Sequence, residues 1–587
     1  MNFANIAEMF RVLESTEARL EMTSIISNFL KTVPKNELRD VIYIIQGKLH
    51  PDFYQIEFGM ADKLVLKTIS LTSGVPYEIV ENLWIKIGDP GEVAEKLIKE
   101  KKQITLFSEA LSIARVVKNL KLIETCEGKE SQILKTKYLA SMLHDSGPVE
   151  AKYLCRIVSG KMRTGASIMT ILDAITITFA TKEERAEIER AFNITCDSGL
   201  IAETLARSGM RGIHAIHVKV GNPIKVMLAE RLSSLSEIID KMDGTCAIEY
   251  KYDGIRAQVH IGKNYVRIFS RRLEDLTNNF PDITKSLTNQ FKGEEVIIEG
   301  ECVAVNSETG QIQSFQEIVR RRRKYNITET VKDIPVKIFI FDMLYLNGTD
   351  LTSEPYPERR KLIEKWFNIT GIIQISCMKI VHSMEEADKF FNNAIKERCE
   401  GIIAKSIGNE SVYRAGSRGF LWIKYKKDYC GNFVDSFDLV VVGAFYGMGK
   451  RAGKYGALLM ASYDSESGRY GTVCKLGTGF DDSFLDNMPS ILNKYKSNEK
   501  PHLLDTKITP DIWFQPGIIL EVVGAEVTIS PNHAAGMNII KEGSGIGIRF
   551  PRFTGRIRYD KEPEQSTTVS EMIQMYNVQF TNNSPST

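Results

Sequence analysis

Lys251 is the residue whose sequence surroundings best suit covalent chemistry. It ends the β-type run at residues 246–250 and is followed by a glycine turn and an arginine, in Glu249-Tyr250-Lys251-Tyr252-Asp253-Gly254-Ile255-Arg256. A lysine is a nucleophile only as a free amine, and neighbouring cations or a bound metal favour loss of its proton near neutral pH. Most lysines at strand ends are solvated surface residues, and that interpretation also fits Lys251 taken alone. A catalytic role therefore depends on what the rest of the chain supplies.

Further segments rich in charged and aromatic residues follow Lys251 in order along the chain. They are Ser270-Arg271-Arg272, Glu299-Gly300-Glu301, Phe341-Asp342-Met343, Glu400-Gly401-Ile402-Ile403-Ala404-Lys405, Trp422-Ile423-Lys424-Tyr425-Lys426 and Arg549-Phe550-Pro551-Arg552-Phe553. In type and order they resemble the motifs of covalent nucleotidyltransferases, the ATP-dependent DNA ligases and mRNA capping enzymes. One such motif is weak support, whereas the ordered set indicates a shared reaction.

The resemblance to ATP-dependent DNA ligases of the archaeal and eukaryotic, replicative type extends over nearly the whole chain. Residues 136–175 resemble their helical DNA-binding domain, and residues 549–568 resemble the end of their OB domain. Capping enzymes and small viral ligases lack the long helical N-terminus that this sequence predicts. NAD-dependent ligases carry a cysteine-rich zinc module, for which this sequence shows no motif. An RNA ligase or capping-type nucleotidyltransferase on the same core stays open as an alternative, as does a DNA-binding clamp partner whose core has decayed.

The resemblance implies that Lys251 attacks the α-phosphate of ATP, carries AMP, and passes it to the 5′-phosphate of a nick, which the 3′-hydroxyl then seals. The implied nucleotide-binding residues are Glu249, Arg256, Arg271, Glu301, Phe341, Arg418, Lys424 and Lys426. Glu249 would accept from the adenine amino group, Phe341 would stack on the ring, and arginines would donate in pairs to ribose or phosphate oxygens.

Carboxylates in the same motifs are suited to a divalent cation. Glu301 and Glu400 are the expected ligands of Mg²⁺, with Mn²⁺ as an alternative, and the metal charge would stabilise phosphoryl transfer. Further residues expected in the active site are Asp253, Lys405, Trp422, Arg549 and Arg552. Asp253 would position the turn, Lys405 would add a cation at the phosphates, and the two arginines of the third domain would orient the leaving pyrophosphate.

Four basic residues without an acidic neighbour lie between residues 151 and 172: Lys152, Arg156, Lys161 and Arg163. Lys152 and Arg156 share one helix face, and residues 161–165 form a predicted loop, so we expect contact with the DNA backbone. A solvated helix face is the alternative.

The run at residues 320–324 is expected to add a second backbone-binding face. A further loose resemblance, carried by Gln103, Leu106 and Phe107, is to the short peptide with which archaeal ligases bind the sliding clamp. Burial at the edge of a helix would explain Leu106 and Phe107 equally well.

The elements that would position these residues change type along the chain. Residues 1–215 show helical periodicity with few breaks and predict an all-α DNA-binding domain. Residues 216–430 begin with a linker-like stretch and then alternate short β-type runs with helices, which predicts an α+β nucleotidyltransferase (adenylation) domain. Residues 431–587 show strands broken by glycine-rich turns and one helical insert, which predicts a C-terminal β-barrel of OB-fold type with a polar tail.

Composition excludes several classes. With 587 residues, 43% apolar and 26% charged, the chain is too long for one core and is neither disordered, collagen-like nor a coiled-coil rod. We expect no membrane segment and no signal peptide. Nine cysteines without a CxxC pair predict a reducing cytoplasm. The net charge of +2 places any polyanion contact in local clusters. The resemblance to the ligases implies a monomeric, nucleoid-associated enzyme acting on nicked double-stranded DNA.

Overall fold

A computed structural model describes residues 1–581 except residues 17, 101–108, 233, 314, 323–330, 427–435 and 452. The chain forms two compact units: Met1–Ser73 with Ile98–Gly431, and Gly74–Leu97 with Asn432–Thr587. The predicted division into domains at residues 215 and 430 remains a prediction, since this partition follows packing of the backbone rather than the three predicted segments.

The N-terminal part of the chain is helical, as predicted. Its helices are α1 (Phe3–Glu14), α2 (Arg19–Leu30), α3 (Leu38–Ile45), α4 (Asp62–Ser73), α5 (Tyr77–Ile87), α6 (Pro90–Lys99), α7 (Ile113–Thr125), α8 (Ser131–Asp145), α9 (Pro148–Val158), α10 (Ile168–Phe179), α11 (Arg185–Thr195) and α12 (Ser198–His214). Within the first unit, α1 packs on α9, α2 on α10, α3 on α12, and α4 and α7 on α8. Apolar residues at helical spacing fill these interfaces.

The middle of the chain is an α+β structure, as predicted. Its strands are β1 (Leu228–Arg231), β2 (Cys246–Lys251), β3 (Ile255–Gly262), β4 (Tyr265–Ser270), β5 (Val296–Ala304), β6 (Val336–Leu346), β7 (Thr349–Asp350), β8 (Ile373–Ile375), β9 (Met378–Val381), β10 (Gly401–Lys405) and β11 (Arg418–Lys426). Its helices are α13 (Leu235–Lys241), α14 (Pro281–Gln290), α15 (Phe315–Val319), α16 (Tyr356–Trp366) and α17 (Met384–Lys396).

These strands form two sheets. One sheet has the order β1-β11-β10-β2-β9, and the other has the order β4-β3-β5-β6-β7 with β8 beside β6. Each sheet has its own apolar core, packed by α13 and α17 in the first and by α14 and α16 in the second. The carboxyl end of β2 leads through a tight turn into β3, so the chain crosses from one sheet to the other directly after Lys251.

The C-terminal part, predicted as a β-barrel of OB-fold type, is a strongly curled β-sheet structure. Its elements are β12 (Ser436–Tyr446), β13 (Tyr455–Asp464), β14 (Arg469–Leu476), α18 (Asp482–Leu492), β15 (Lys496–Ser497), β16 (Leu504–Asp505), β17 (Ile512–Phe514), β18 (Ile519–Val523), β19 (Glu526–Ser530), β20 (Gly545–Arg549), β21 (Arg552–Ile557) and α19 (Val569–Thr581). Strand β12 pairs with β13, β17 and β18, which curls the sheet around an apolar core. Helix α18 is the single helical insert that the sequence predicts.

The predicted linker after residue 217 is packed rather than free. Val218, Val220, Ile224 and Met227 are buried in a cluster with Tyr413 and residues of both sheets. The segment has no helix or strand, so backbone donors such as Gly221 N–H are satisfied by side chains of β3. Across the described residues, no helix combines the length and the apolar character that crossing a membrane requires.

Candidate active site

Three neighbouring strands of the first sheet present their functional side chains on one face. In the register of β10 with its partners, Gly401 lies opposite Lys251 and Lys426, while Ile403 lies opposite Glu249 and Lys424. Directly opposed residues of antiparallel strands share a face, and so do residues two apart in a strand. The alternation of β2, β10 and β11 therefore brings residues that are more than 150 positions apart into one site.

Lys251 is paired with a carboxylate in this arrangement. Its Nζ lies 2.5 Å from Oε2 of Glu400, and Nζ of Lys426 lies 2.7 Å from the same oxygen. Burial alone would raise the pKa of Glu400, but the two lysines outweigh it and lower that pKa to about 2. Gly401 allows β10 and β11 to lie close together beside this ion pair. At its φ of +153° a Cβ would lie 2.1 Å from the Tyr425 carbonyl oxygen.

A cluster of cations surrounds Lys424, as the sequence predicts for a phosphate site. Burial and the positive charges of Arg418, Lys426, Lys251 and Arg271 together lower the pKa of Lys424. Mutual repulsion of this kind is relieved when a polyanion binds, so the cluster is suited to a triphosphate. These five side chains come from β2, from β11 and from the end of β4, and the structure brings them together.

Acidic side chains face the same cations. Burial and the nearby Glu400 raise the pKa of Asp253 to about 6, and burial raises the pKa of Glu301 to about 7 despite Lys251 and Arg256. Within the described ranges, no three acidic, histidine or cysteine side chains form a ready metal cage. Two carboxylates with the remaining ligands taken from phosphates and water is the usual environment of Mg²⁺, so Glu301 and Glu400 fit that ion.

Glu249 lies on the floor of the site in a cage of donors. Its Oε1 accepts from the Tyr356 hydroxyl, from Lys405 Nζ at 3.0 Å and from Arg360 at 3.5 Å. Lys405 also donates to the Phe341 carbonyl oxygen at 3.3 Å. The structure therefore places Lys405 beside Glu249, whereas it was predicted among the phosphate-binding cations.

The Arg256 guanidinium donates hydrogen bonds to other residues of the chain. Its two terminal nitrogens donate to Glu299 at 2.7 Å and to the Met227 carbonyl oxygen at 2.9 Å. The guanidinium lies against Phe341 and Trp422, at 5.4 and 5.5 Å from the ring centroids. Its Nε is buried and has no hydrogen-bond partner among the described residues. These contacts hold the guanidinium in the wall of the site, and its bidentate contact with a ligand remains a prediction.

The aromatic pair beside Arg256 has two different roles. Trp422 is buried and packs edge-on against Phe341, with centroids 6.1 Å apart, and also against Tyr413. Phe341 is only partly buried at the edge of the same cluster. Phe341 is therefore the more accessible of the two rings and remains the predicted stacking surface, while Trp422 packs edge-on against it.

Sequence reasoning missed three residues that complete the site. Tyr356 and Arg360 reach Glu249 from α16, and the Tyr413 hydroxyl donates to Glu299 at 2.9 Å. None of them belongs to a recognised motif. The signal available in the sequence was Pro355 directly before a helical pattern. That Arg359 and Arg360 of this helix are buried is seen only in the structure.

The residues predicted to bind DNA differ in exposure. Lys152 and Arg156 lie on one face of α9, as predicted, but that face is buried and both side chains pair with Glu14 of α1. Lys161 is 40% exposed and lies 2.7 Å from Asp62. Arg163 follows in the predicted loop at a φ of +57°. The less buried part of this basic cluster is therefore the loop rather than the helix face, and DNA contact remains a prediction.

The other predicted interfaces fall in different places. Arg321 is not on a backbone-binding face: it is buried and donates from both terminal nitrogens to Asp282 at 2.8 Å. Arg320 is exposed beside Glu317. Arg549 and Arg552 belong to the second compact unit, where Arg549 pairs with Glu526 at 2.6 Å. The predicted clamp peptide lies outside the described residues, so its role stays a prediction.

Three family models match the chain in order. The model described as DNA ligase N terminus matches residues 2–176, the ATP dependent DNA ligase domain matches residues 226–426, and the ATP dependent DNA ligase C terminal region matches residues 451–561. The middle match contains every active-site residue described above except Arg549 and Arg552.

Full-length relatives agree with these matches. DNA ligase 2 of Thermofilum pendens is 43% identical, covering 98% of this chain and 97% of its own, and the DNA ligase of Caldivirga maquilingensis is 43% identical, covering 99% and 98%. The solved structure of Pmar-Lig_Pre matches 94% of this chain with a TM-score of 0.55 at 17% identity, which supports the fold. The chain therefore belongs to the family of ATP-dependent DNA ligases.

Proposed function

We propose that this protein seals nicks in duplex DNA by using ATP, with Lys251 as the covalent nucleophile. The observation that carries the proposal is the convergence of Lys251, Glu400 and the cations around Lys424 on one face of a sheet. A nucleophilic amine beside a polyanion site and acceptor carboxylates is the set of groups that covalent nucleotidyl transfer requires.

In the first step Lys251 Nζ forms a bond to the α-phosphorus, and the bond from that phosphorus to the pyrophosphate oxygen breaks. The amine loses one proton and the pyrophosphate leaves with the electron pair. AMP is then transferred to the 5′-phosphate of the nick, which frees Lys251. The 3′-hydroxyl finally displaces AMP and forms the phosphodiester bond, so one ATP is consumed for each nick.

The chain's own residues orient these steps. Arg271, Arg418, Lys424 and Lys426 would hold the phosphates, since their charges already converge. Glu301 and Glu400 would hold a divalent cation, which when bound supplies positive charge at the phosphoryl oxygens. Glu400 would also have a second role before ATP binds, because its ion pair with Lys251 would hold that side chain beside the phosphate-binding cations.

The base would lie between Phe341 and the floor of the site. Phe341 supplies an aromatic face, and Glu249 supplies a carboxylate that accepts hydrogen bonds from the adenine amino group. A duplex would contact the loop with Lys161 and Arg163 through its phosphates, a mode that reads no sequence and suits an enzyme that must act on any nick.

The decisive experiment compares substrates. Purified protein is given ATP, Mg²⁺ and one of three labelled substrates: nicked duplex DNA, nicked duplex RNA, or RNA with a 5′-diphosphate end. We expect efficient sealing of the nicked DNA alone. Faster sealing of RNA would favour an RNA ligase, and transfer to the diphosphate end would favour a capping-type enzyme. Failure to form any enzyme–AMP adduct would favour the DNA-binding protein with an inactive core.

A further inference from the structure

The two carboxylate oxygens of Glu249 have different surroundings. Oε1 accepts from all three donors of the cage, namely the Tyr356 hydroxyl, Lys405 Nζ and Arg360. In the part of the chain that the structure describes, no residue donates to Oε2. Because Oε1 is surrounded by donors, the carboxylate cannot rotate without breaking several hydrogen bonds. One oxygen is therefore fixed by the protein and the other is left for a ligand.

Tyr356 and Arg360 reach this carboxylate from one face of α16, four positions apart. Both are anchored elsewhere. The Tyr356 backbone N–H donates to the carbonyl and hydroxyl oxygens of Ser411 at 3.0 Å, and Arg360 donates to the Ser376 carbonyl oxygen. The Tyr356 side chain is only 1% exposed. The helix therefore presents the two donors rigidly.

The neighbouring arginine of the helix strengthens this anchoring. Arg359 makes a bidentate contact with Asp342, at 2.7 and 2.9 Å, and both side chains are fully buried. Asp342 directly follows Phe341, the predicted stacking residue. Helix α16 is thus joined both to the carboxylate that would read the edge of the base and to the strand that carries the aromatic face.

We propose that Tyr356 and Arg360 are positioning residues that select the nucleotide base, by holding Glu249 with Oε2 directed at position 6 of the purine. This inference rests on the proposed function. A carboxylate oxygen accepts a hydrogen bond from the 6-amino group of adenine, whereas the 6-oxo group of guanine is itself an acceptor and is repelled. A site built to bond one polar group discriminates strongly against a base that lacks it.

Tyr356→Phe is the sharpest test because it removes one hydroxyl and no charge. The ring, whose centroid lies 4.5 Å from Lys405 Nζ, is kept. A matched control is Tyr470→Phe in the second compact unit, where the Tyr470 hydroxyl donates to the Glu564 carboxylate at 3.1 Å. Both variants lose a tyrosine–glutamate hydrogen bond, but only one of these bonds lies in the site.

The measurement is the kcat/KM for covalent labelling of Lys251 by ATP, by GTP and by purine riboside triphosphate, which lacks the 6-amino group. We expect Tyr356→Phe to reduce the preference for ATP over purine riboside triphosphate about tenfold, the usual scale for a hydrogen bond to a charged group. The loss should appear in KM for ATP, and labelling by purine riboside triphosphate should fall by a smaller factor. Arg360→Lys should reduce the same preference by a smaller factor, and Tyr470→Phe should not change it.

Two results would overturn the inference: a wild type with no preference for ATP over the analogue, or a preference that both α16 variants leave intact. If circular dichroism showed both variants to be unfolded, the two side chains would be core structure and the selecting role would be rejected. Failure of the proposed function looks different, since the wild type would then acquire no label on Lys251 from any nucleotide.

Discussion

Lys251 Nζ lies 2.5 Å from Glu400 Oε2, so the proposed nucleophile is held in an ion pair. An amine in an ion pair has its lone pair bound to a proton and cannot attack phosphorus. In the proposed first step, Lys251 must therefore give up this proton before its nitrogen can bond to phosphorus. The divalent cation that Glu400 is proposed to bind would compete for the same carboxylate, which links substrate binding to release of the nucleophile.

Glu400→Gln is predicted to slow formation of the enzyme–AMP adduct by at least about tenfold, because the variant loses a charge that the transition state needs. Single-turnover labelling with ATP measures the rate. Glu397→Gln, an exposed residue three positions away, is the control and should retain the wild-type rate. Equal rates in the two variants would show that Glu400 has no part in the step.

Gly401→Ala is predicted to destabilise the first unit by roughly 3 kcal/mol, since alanine is strained at a φ of +153° and its Cβ would collide with the Tyr425 carbonyl oxygen. Thermal unfolding measures the loss. Gly408→Ala is a matched control, because a Cβ there meets nothing within 4 Å. A melting temperature for Gly401→Ala equal to that of Gly408→Ala would contradict the close approach of β10 and β11.

Much of the site could be predicted from sequence because the functional residues recur in ordered motifs on short strands. The two-residue period of a strand predicts that Lys424 and Lys426 share one face, and the structure has both of them near Lys251. The α+β class and the curled C-terminal sheet follow from the same alternation of short β-type runs and turns.

What could not be predicted depends on packing between distant segments. Tyr356 meets Glu249 across 107 positions, and neither residue type indicates that contact. The sequence pattern predicts an exposed basic face for Lys152 and Arg156, but in the structure Glu14 of another helix pairs with both side chains. Arg321 reads as part of a basic surface run, yet its partner Asp282 lies 39 positions away. Periodicity assigns a face to a residue but does not identify what covers that face.

The stability of the segment at residues 217–227 is predicted to depend on pH through His260. Its Nδ1 accepts from the Gly221 N–H at 3.1 Å, so its Nε2 carries the proton toward the Gln258 side-chain oxygen at 3.0 Å. Burial, helped by nearby Arg267, lowers the pKa of His260 from 6.5 to about 3. Protonation therefore favours the unfolded chain, and the stability present above pH 6.5 is lost as pH falls towards 3.

Lowering the pH from 7.5 to 5.5 should destabilise this region by about 1 kcal/mol through His260. Hydrogen–deuterium exchange of peptides covering residues 217–227 measures the change in protection, corrected for the intrinsic pH dependence of exchange. In His260→Gln that part of the pH dependence should disappear, so protection of variant and wild type should converge at low pH. Identical pH profiles for the two proteins would contradict a buried, neutral His260.

Neutralising the less buried part of the basic cluster is predicted to weaken binding to nicked duplex. The double variant Lys161→Gln, Arg163→Gln removes two candidate phosphate contacts, so the slope of log K against log salt should decrease in magnitude by about 2. Fluorescence anisotropy at several salt concentrations measures it. Lys118→Gln with Lys121→Gln, two exposed lysines of α7, is the control, and equal slopes in both double variants would rule out the loop.

The most direct test of the central claim is the site of covalent labelling. Wild-type protein is incubated with ATP and Mg²⁺ without DNA, digested, and its peptides are sequenced by mass spectrometry alongside those of Lys251→Arg. We predict one adduct with the mass of AMP less water, on Lys251, which is absent from the variant and is discharged when nicked DNA is added. An adduct on another residue, or one that persists in Lys251→Arg, would contradict it.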